Sequence, residues 1–288
     1  MLSAKIAVIG DLHSSWHAAD TDYFNDSSYE LLLFTGDLGS SGLQDGVELA
    51  RSLSRLSRPT LVMLGNNDAA QYGRITAELS YQQGRDRLLS GRVSWAPGGV
   101  GVHACGLDLH RFQLGALDVS VIAGRPFAMG NSELSSPEAL AATYGVTTLE
   151  ESRARLRELV DRAESEYLLF LAHNGPAGLG TEASAPWGRD FHPEAGDWGD
   201  EDLADAVAYA EQQGRRVLAV VAGHMHWRLR GGGERRWQER RGGVLYLNPA
   251  RVPRIERSEL SRRHYHVSLT LRADGAEARE VVHEHGFE

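Results

Sequence analysis

Five short polar clusters in the sequence carry side chains that bind divalent metal ions. Their donors are carboxylate oxygens, imidazole nitrogens and amide oxygens, with no thiolate among them. Donors of this kind suit Mn, Fe or Zn. The clusters therefore predict a metal site built from oxygen and nitrogen ligands. In chain order they are Gly10-Asp11-Leu12-His13, Gly36-Asp37, Gly65-Asn66-Asn67-Asp68, His173-Asn174 and Gly223-His224-Met225-His226.

Each cluster directly follows a hydrophobic run that has the length of a buried strand. A run of Val, Ile and Leu without alternation is typical of a parallel strand covered on both faces. Asp37 follows Asp11 by 26 residues and Asn66 follows Asp37 by 29, close to the ~30 residues of a strand-helix-strand unit. Ligands of open α/β sheets bind at the carboxyl ends of the strands, so the clusters are expected to converge. The runs are Ile6–Ile9, Leu31–Phe34, Leu61–Leu64, Leu168–Leu171 and Val217–Val221.

The ordered set of clusters resembles the calcineurin-like metallophosphoesterase superfamily, and the matching motifs span residues 10 to 226. A Gly-Asp or Gly-Asn dipeptide alone also forms ordinary turns, so the order of the motifs and their place after buried strands carry the resemblance. It implies an α/β fold in which a two-sheet β-sandwich is flanked by helices.

The resemblance also implies a role for each cluster. Asp37 would bridge two divalent metal ions, with Mn favoured over Fe or Zn, and a metal-bridging water would attack phosphorus in line. The catalytic positions would be Asp37, Asn66, Asn67 and His173. One metal would be bound by Asp11, His13, Asp37 and His226, and the other by Asp37, Asn66, His173 and His224.

One position departs from the family motif. Asn67 stands where the family usually has a histidine that helps to protonate the leaving group. An amide cannot deliver a proton, although it can donate a hydrogen bond to a phosphoryl oxygen. Family members that lack this histidine tend to be phosphodiesterases. The favoured function is therefore a metal-dependent phosphodiesterase.

Three other functions stay open at this point. A phosphomonoesterase acting on nucleotides or phosphoproteins would use the same ligands. A non-catalytic metal-binding interaction scaffold is disfavoured, because all seven ligand positions keep liganding side chains. A nuclease is disfavoured by the net charge of −9, since long nucleic acids bind clustered positive charge. The expected substrate is a small phosphoester or a nucleotide-like compound, and the sequence does not indicate an oligomeric state.

Composition adds an expectation about location and domains. Cys105 is the single cysteine, so no disulfide forms within the chain. The first predicted strand begins close to Met1, and no apolar run approaches the ~20 residues of a membrane span. We expect one domain over residues 1–288 in the cytoplasm, or in an organelle stroma if a transit peptide is removed from a precursor.

The middle and the end of the chain predict further elements. Three runs are expected to form strands of a second, more antiparallel sheet, and residues 125–165 are expected to form a helical insertion or cap beside the site. Two late strands are expected to complete the second sheet. The three runs are Val93–Trp95, Val100–Ala104 and Val119–Ala123, and the late strands are Val244–Leu247 and His264–Leu271.

Several polar residues have two interpretations. Arg125 is a candidate for a substrate phosphate, although a structural ion pair is favoured. Asp200 is expected to cap the helix that follows it.

Histidines and arginines near the end of the chain are ambiguous as well. The pairs His264/His266 and His283/His285 would each share one face of a strand, and a solvated face is favoured over a second metal site. The six arginines between positions 228 and 241 are expected on a solvated glycine-turn hairpin, with a substrate role left open.

Overall fold

Two β-sheets pack face to face and are flanked by helices. A computed structural model describes residues 3–40, 45–90, 101–130, 133–192 and 194–286. The two sheets contain seven and six strands. This architecture confirms the predicted fold class. Val93–Trp95, one of the predicted strands, lies outside the described residues.

The first sheet has a parallel half and an antiparallel half. Its strand order is β13-β14-β1-β2-β3-β4, with β15 paired to β14. Strands β1 to β4 run parallel, and β14 lies antiparallel to β1. These strands are β1 Ser3–Ile9, β2 Leu31–Phe34, β3 Thr60–Met63, β4 Val102–Cys105, β13 Ile255–Arg257, β14 Ser261–Arg272 and β15 Gly275–Gly286.

The second sheet has a parallel centre and antiparallel edges. Its order is β11-β12-β10-β7-β6-β5, and the four inner strands are parallel. Its strands are β5 Leu109–Leu114, β6 Leu117–Ala123, β7 Tyr167–Ala172, β10 Arg216–Ala222, β11 Gln238–Arg241 and β12 Val244–Leu247. A separate short ribbon pairs β8 Gly188–Arg189 with β9 Gly196–Asp197.

Helices cover the outer face of each sheet. The parallel strands need crossover connections, and the helices supply most of them. No helix in the described ranges is long and apolar enough to cross a lipid bilayer. The helices are α1 Ala18–Asp26, α2 Asp45–Leu53, α3 Tyr72–Ser90, α4 Pro137–Tyr144, α5 Leu149–Arg162 and α6 Glu201–Gln212, and a 3₁₀ helix spans Asn66–Gln71.

Three apolar cores explain why the strands do not alternate between apolar and polar residues. The central core lies between the two sheets, where Val8 and Leu33 meet Leu169 and Val221. A second core lies between the first sheet and helices α1 to α3, and a third lies between the second sheet and helices α5 and α6. The inner strands are therefore buried on both faces and require apolar side chains throughout.

Two predicted strands belong to the other sheet. Strand β4, expected in the second sheet, pairs in parallel with β3 at Thr60↔Val102 in the first sheet. Strand β14 also joins the first sheet, antiparallel to β1 at Ile6↔Leu269. The second sheet is also less antiparallel than predicted. Strand length and composition are local, whereas sheet membership is decided by pairing between distant segments.

The predicted helical insertion is part of the sheet covering. Helix α5 connects two parallel strands, β6 and β7, and packs beside α6 on the outer core. It begins with a capping box, because the hydroxyl of Thr148 accepts from the backbone N–H of Glu151 and the Glu151 carboxylate accepts from the backbone N–H of Thr148, both at 3.1 Å. Helices lie at the place in the chain where the insertion was predicted, and α5 belongs to the crossover between β6 and β7.

Arg125 joins the end of β6 to α6. Its Nη2 lies 2.9 Å from Oδ1 of Asp200 and its Nε lies 2.8 Å from Oδ2 of Asp202. Ser152 on α5 donates to the same Asp202 carboxylate at 2.6 Å. Arg125 is only 2 % exposed, so of its two interpretations the structure shows the ion pair, and the guanidinium is not placed to bind a substrate phosphate.

Asp200 stands at the N-cap position of α6 but makes no side-chain capping bond. Its carboxylate binds Arg125, which corrects the expected capping role. Burial raises the pKa of Asp200 to about 7, with Arg125 opposing the rise and Asp202 adding to it. The guanidinium therefore holds two buried carboxylates that would repel each other without it.

We expect Arg125→Met to lower the free energy of unfolding by about 3–5 kcal/mol, because it leaves two buried carboxylates without their counter-charge. Arg153→Met is the matched control, since Arg153 pairs with Glu201 at 2.6 Å on the surface. An exposed pair contributes less than about 1 kcal/mol. Urea unfolding of both variants measures the difference, and equal losses would contradict the structural role of Arg125.

Candidate metal centre

The five polar clusters meet at one edge of the sandwich. Three of them follow β1, β2 and β3 in the first sheet, and two follow β7 and β10 in the second sheet. All these strands present their carboxyl ends to the same place, as the sequence predicted. The structure therefore brings together all seven predicted ligand residues, from both sheets.

Two groups of ligand side chains lie side by side. In each group, one ligand atom from every member lies within 4.8 Å of the others. The first group contains Asp11, His13 and His226, with the Nε2 atoms of His13 and His226 3.0 Å apart. The second contains Asp37, His173 and His224.

Asn66 extends the second group. Its Oδ1 lies 2.9 Å from Nε2 of His173. The same nitrogen lies 3.2 Å from Nδ1 of His224. The amide oxygen therefore faces the same point as the two imidazoles.

Asp37 lies between the two groups. Its Oδ2 is 3.5 Å from Nε2 of His13 in the first group, and its Oδ1 is 3.5 Å from Nε2 of His173 in the second. One carboxylate therefore offers one oxygen to each group. This is the arrangement that a bridging carboxylate requires.

The two carboxylates are buried in unlike environments. Burial raises the pKa of Asp11, and the neighbouring Asp37 adds to the rise although His173 opposes it. Burial acts in the same sense on Asp37, but His173 and the backbone N–H of Asn67 outweigh it, so the pKa of Asp37 is lowered. Asp37 is therefore held in its ionised form, the form in which a carboxylate can bind a metal ion.

Two of the imidazoles are held neutral. Burial and the neighbouring His173 lower the pKa of His224 to about 3, and burial lowers the pKa of His226. A neutral imidazole keeps the nitrogen lone pair that a metal ligand needs. Buried carboxylates that face neutral imidazoles and an amide oxygen fit divalent metal ions.

Thr35 orients ligands on both sides, and the sequence analysis missed it. Its hydroxyl donates to Oδ1 of Asp11 at 2.8 Å, and its carbonyl oxygen lies 2.7 Å from Nδ1 of His173. That contact turns Nε2 of His173 toward Asp37. Outer contacts of this kind fix the ring orientation of metal-binding histidines. The sequence signal for Thr35 is its position immediately before Gly36-Asp37.

Asp68 closes the loops that carry Asp37 and Asn66. Its carboxylate accepts from the backbone N–H of Gly65 at 2.9 Å and from that of Leu38 at 3.0 Å. Burial, together with the charge of Asp37, raises the pKa of Asp68 to about 7. The last residue of the Gly-Asn-Asn-Asp motif therefore ties the end of β2 to the end of β3.

Asn67 contacts Asp37 through two hydrogen bonds. Its backbone N–H donates to Oδ1 at 3.0 Å and its side-chain amide donates to Oδ2 at 2.8 Å. The residue that replaces the family histidine therefore helps to position the carboxylate between the two groups.

Sharp backbone turns point three of the ligands into the centre. His13, Asp37 and His224 have φ values of +40°, +47° and +69°, and such a conformation costs about 1–3 kcal/mol for a residue other than glycine. The carboxylates also require glycines beside them. A Cβ on Gly223 would lie 2.0 Å from Oδ1 of Asp11, and one on Gly65 would lie 2.2 Å from Oδ1 of Asp37.

A cleft of about 420 Å³ opens beside His224 and His226. Phe191 and Trp198 form part of its wall and meet edge to face, with ring centroids 5.0 Å apart. The other lining residues are Met129, Asp190, Met225, Arg228, Arg230 and Arg235. The cleft therefore combines aromatic rings and guanidinium groups next to the ligands.

The arginines expected on a solvated hairpin differ among themselves. The backbone of Arg228 forms a β-bridge with that of Glu234 across a glycine turn. The side chains of Arg228 and Arg230 are exposed, and neither forms an ion pair with a carboxylate of the described residues. Arg235 is buried, donates to four backbone carbonyls, including that of His226 at 3.0 Å, and pairs with Asp190 at 3.1 Å. Arg235 therefore supports the loop, while Arg228 and Arg230 bring positive charge to the cleft.

We expect Gly223→Ala to weaken divalent metal binding by about 10–100-fold, the usual cost of disturbing a residue that supports metal ligands. The added methyl group would displace Asp11 and the Thr35 hydroxyl, which lies 2.5 Å from the new atom. Gly73→Ala is the control, because its Cβ meets nothing within 4 Å. Titration with Mn²⁺ in a calorimeter measures the change, and equal affinity in both variants would contradict the packing argument.

Comparison with known proteins points to one family. The family model of the calcineurin-like phosphoesterases matches residues 4–228. No curated protein matches the chain. Among solved structures, TT1561 of Thermus thermophilus is similar with a TM-score of 0.57 at 15 % identity, over 96 % of this chain and 98 % of that chain. At that identity the likeness concerns the fold alone.

A Vps29 structure from Chaetomium thermophilum aligns over 99 % of this chain and 97 % of that chain, with 10 % identity and a TM-score of 0.29, too low to support any conclusion. The family match over residues 4–228 covers all five ligand clusters. The chain therefore belongs to the calcineurin-like phosphoesterase family.

Proposed function

We propose that this protein is a phosphodiesterase that uses two divalent metal ions to hydrolyse a small organic phosphoester. The position of Asp37 carries the proposal. Its two carboxylate oxygens each lie 3.5 Å from an imidazole nitrogen of a different ligand group. A single carboxylate shared in this way suits two ions held ~3.5–4 Å apart, the spacing of two-metal phosphoesterases.

The side chains have separate tasks in this proposal. Asp11, His13 and His226 would hold one ion, and the second group with Asn66 would hold the other. Two bound ions supply a nucleophile from water near neutral pH and stabilise charge on the phosphoryl oxygens. We favour manganese, because carboxylate and imidazole donors without thiolate suit it.

Asn67 supports a diester substrate. Its amide donates to Asp37 and has no proton to give to a leaving group. The four histidines of the centre are all assigned as ligands, so none of them is free to act as a general acid. General acid–base catalysis contributes about 10²–10⁴-fold. Without a general acid, hydrolysis slows least for esters that have a good leaving group. Asn67 remains able to donate a hydrogen bond to a phosphoryl oxygen.

The cleft supports a substrate that carries a second anionic group and a ring. Arg228 and Arg230 bring positive charge to it in a protein whose net charge is −9. The guanidinium of Arg230 also lies 5.7 Å from the ring of Phe191. The volume of about 420 Å³ lies within the ~300–1,000 Å³ of small-molecule sites. A nucleotide-like phosphoester combines these features, whereas a long nucleic acid exceeds the cleft.

We expect metal-stripped protein to hydrolyse bis-p-nitrophenyl phosphate when Mn²⁺ is added, and faster than p-nitrophenyl phosphate. Asp37→Asn should lower turnover by more than about 100-fold, because a shared ligand matters more than an outer contact, for which the cost is ~10–100-fold. Asp118→Asn is the control. Asp118 pairs with Arg111 at 2.7 Å near the start of β6, and the ligand clusters lie at the opposite ends of the parallel strands.

The outcomes of this assay separate the alternatives. Unchanged turnover in Asp37→Asn would overturn the two-metal mechanism. Faster hydrolysis of the monoester would identify a phosphomonoesterase. No hydrolysis of either ester by protein that binds Mn²⁺ would favour the non-catalytic scaffold.

The double variant Arg228→Ala/Arg230→Ala tests the cleft. We expect it to raise KM for a nucleoside diphosphate ester such as ADP-ribose by about tenfold or more, since each tenfold step corresponds to ~1.4 kcal/mol of lost binding. KM for bis-p-nitrophenyl phosphate, which has one phosphate, should change little. Arg236→Ala is the control, because Arg236 lies 3.7 Å from both Glu182 and Glu239. Equal changes for both substrates would refute a second anion site.

A further inference from the structure

A second group of imidazoles surrounds a buried carboxylate on the outer face of the first sheet, which α1 covers. Asp20 lies on α1, His264 lies on β14, and His283 and His285 lie on β15. We call these four residues the α1–hairpin cluster. Asp20 and His264 are fully buried and His283 is 8 % exposed. The expected solvated face is therefore wrong, because α1 covers this face of the β14–β15 hairpin.

The rings lie at the spacing of ligands around one ion. His264 and His283 face each other across the two strands with ring centroids 4.9 Å apart, and His285 lies 5.2 Å from each of them. One ligand atom from each of Asp20, His264 and His283 lies within 4.8 Å of the others. Ligand atoms of Asp20, His264 and His283 therefore converge, and the ring of His285 lies beside them.

Three nitrogens of this cluster lack hydrogen-bond partners. Nε2 of His264, Nδ1 of His283 and Nε2 of His285 are buried, and none of them makes a hydrogen bond to any described residue. Nε2 of His283 is buried as well and lies 3.4 Å from Oδ1 of Asp20. Each unsatisfied buried polar group costs about 1–3 kcal/mol. Three such atoms in one place would be a large cost for the fold. A metal ion would take up the lone pairs that point toward it.

The distances repeat those of the candidate metal centre. Nδ1 of His264 lies 2.9 Å from Oδ1 of Asp20, and Nε2 of His283 lies 3.4 Å from the same oxygen. In the candidate centre, the contacts among ligand atoms run from 2.9 to 3.8 Å. The α1–hairpin cluster thus has the same close approach of carboxylate and imidazole.

Arg254 determines the kind of metal that would fit. Its Nη2 donates to Oδ1 of Asp20 at 2.7 Å, and the backbone N–H of His17 donates to Oδ2 at 2.9 Å. These donors hold the carboxylate in place, as outer contacts do around metal ligands. The guanidinium also offsets the charge of Asp20, so the remaining donors are mostly neutral imidazoles. Zinc accepts imidazole-rich sites, whereas Ca²⁺ and Mg²⁺ require more oxygen.

We propose that Asp20, His264 and His283, with His285 as the fourth ligand, bind one zinc ion that ties α1 to the β14–β15 hairpin. The site would have a structural role, because a tetrahedral site filled by four side chains leaves no position for a substrate. It shares no residue with the candidate metal centre. The proposal therefore stands whether or not the proposed phosphodiesterase function is correct.

Zinc content per chain tests the proposal. After the full chain is loaded with Zn²⁺ and desalted, His283→Gln and His285→Gln should each contain one zinc fewer than the unsubstituted protein, with phosphoesterase activity retained. His110→Gln is the matched control, because His110 also lies near a carboxylate, 3.1 Å from Asp108, but in the other sheet and with no ring contact to another imidazole in the described part of the chain. Equal zinc content in all four proteins would overturn the proposal.

Two further measurements cover variants that fail to fold. Added Zn²⁺ should raise the Tm of Asp37→Asn, whose catalytic centre is impaired, but should not raise the Tm of His285→Gln/Asp37→Asn. Titration of the unsubstituted chain with Co²⁺ should give one equivalent with the intense visible absorption of tetrahedral nitrogen coordination. A titration without such a band would refute the site and indicate a cluster of stacked, neutral histidines.

Discussion

Apolar contact between the inner faces of the two sheets is the interaction on which the candidate centre depends. Each ligand group combines side chains from both sheets: Asp11 and His13 meet His226, and Asp37 meets His173 and His224. The central core fixes the distance between the sheets, and close-packed interiors resist deformation. The contact between His173 and the carbonyl of Thr35 adds one polar connection at the edge. Loss of packing between the sheets would therefore move the predicted ligands apart, even with every ligand side chain still present.

The same packing sustains a costly arrangement of charge and backbone. Three ligand positions have positive φ, and two carboxylates are buried. Such strain persists only when the surrounding structure outweighs it. The loops are held by Asp68 and Asn67, and the glycines beside Asp11 and Asp37 leave no room for a side chain. Divalent cations would offset the buried negative charge, so metal binding and stability of this edge are coupled.

Three His-x-His pairs in the chain have different surroundings. His224 and His226 follow the end of β10, where a positive φ at His224 turns the backbone and directs both rings to the centre. The pairs His264/His266 and His283/His285 lie within strands, so each pair shares a face by the two-residue period of a strand. That face lies under α1, where Asp20 and Arg254 occupy the space beside the rings. The local pattern is the same, and the covering element decides the environment.

The amino-acid sequence by itself determined the ligand types, the strands that precede them and the convergence of the five clusters. Each of these follows from a short segment: an apolar run forms a buried strand, and the polar residue after it lies at the strand end. The substitution at Asn67 was equally visible. Only the tertiary structure decided the sheet to which β4 and β14 belong, the ion pair of Arg125 with Asp200 and Asp202, the support from Thr35, and the burial of His264 and His283. These depend on contacts between segments far apart in the chain, whose pairing follows from the packing of whole sheets and helices and not from local preference.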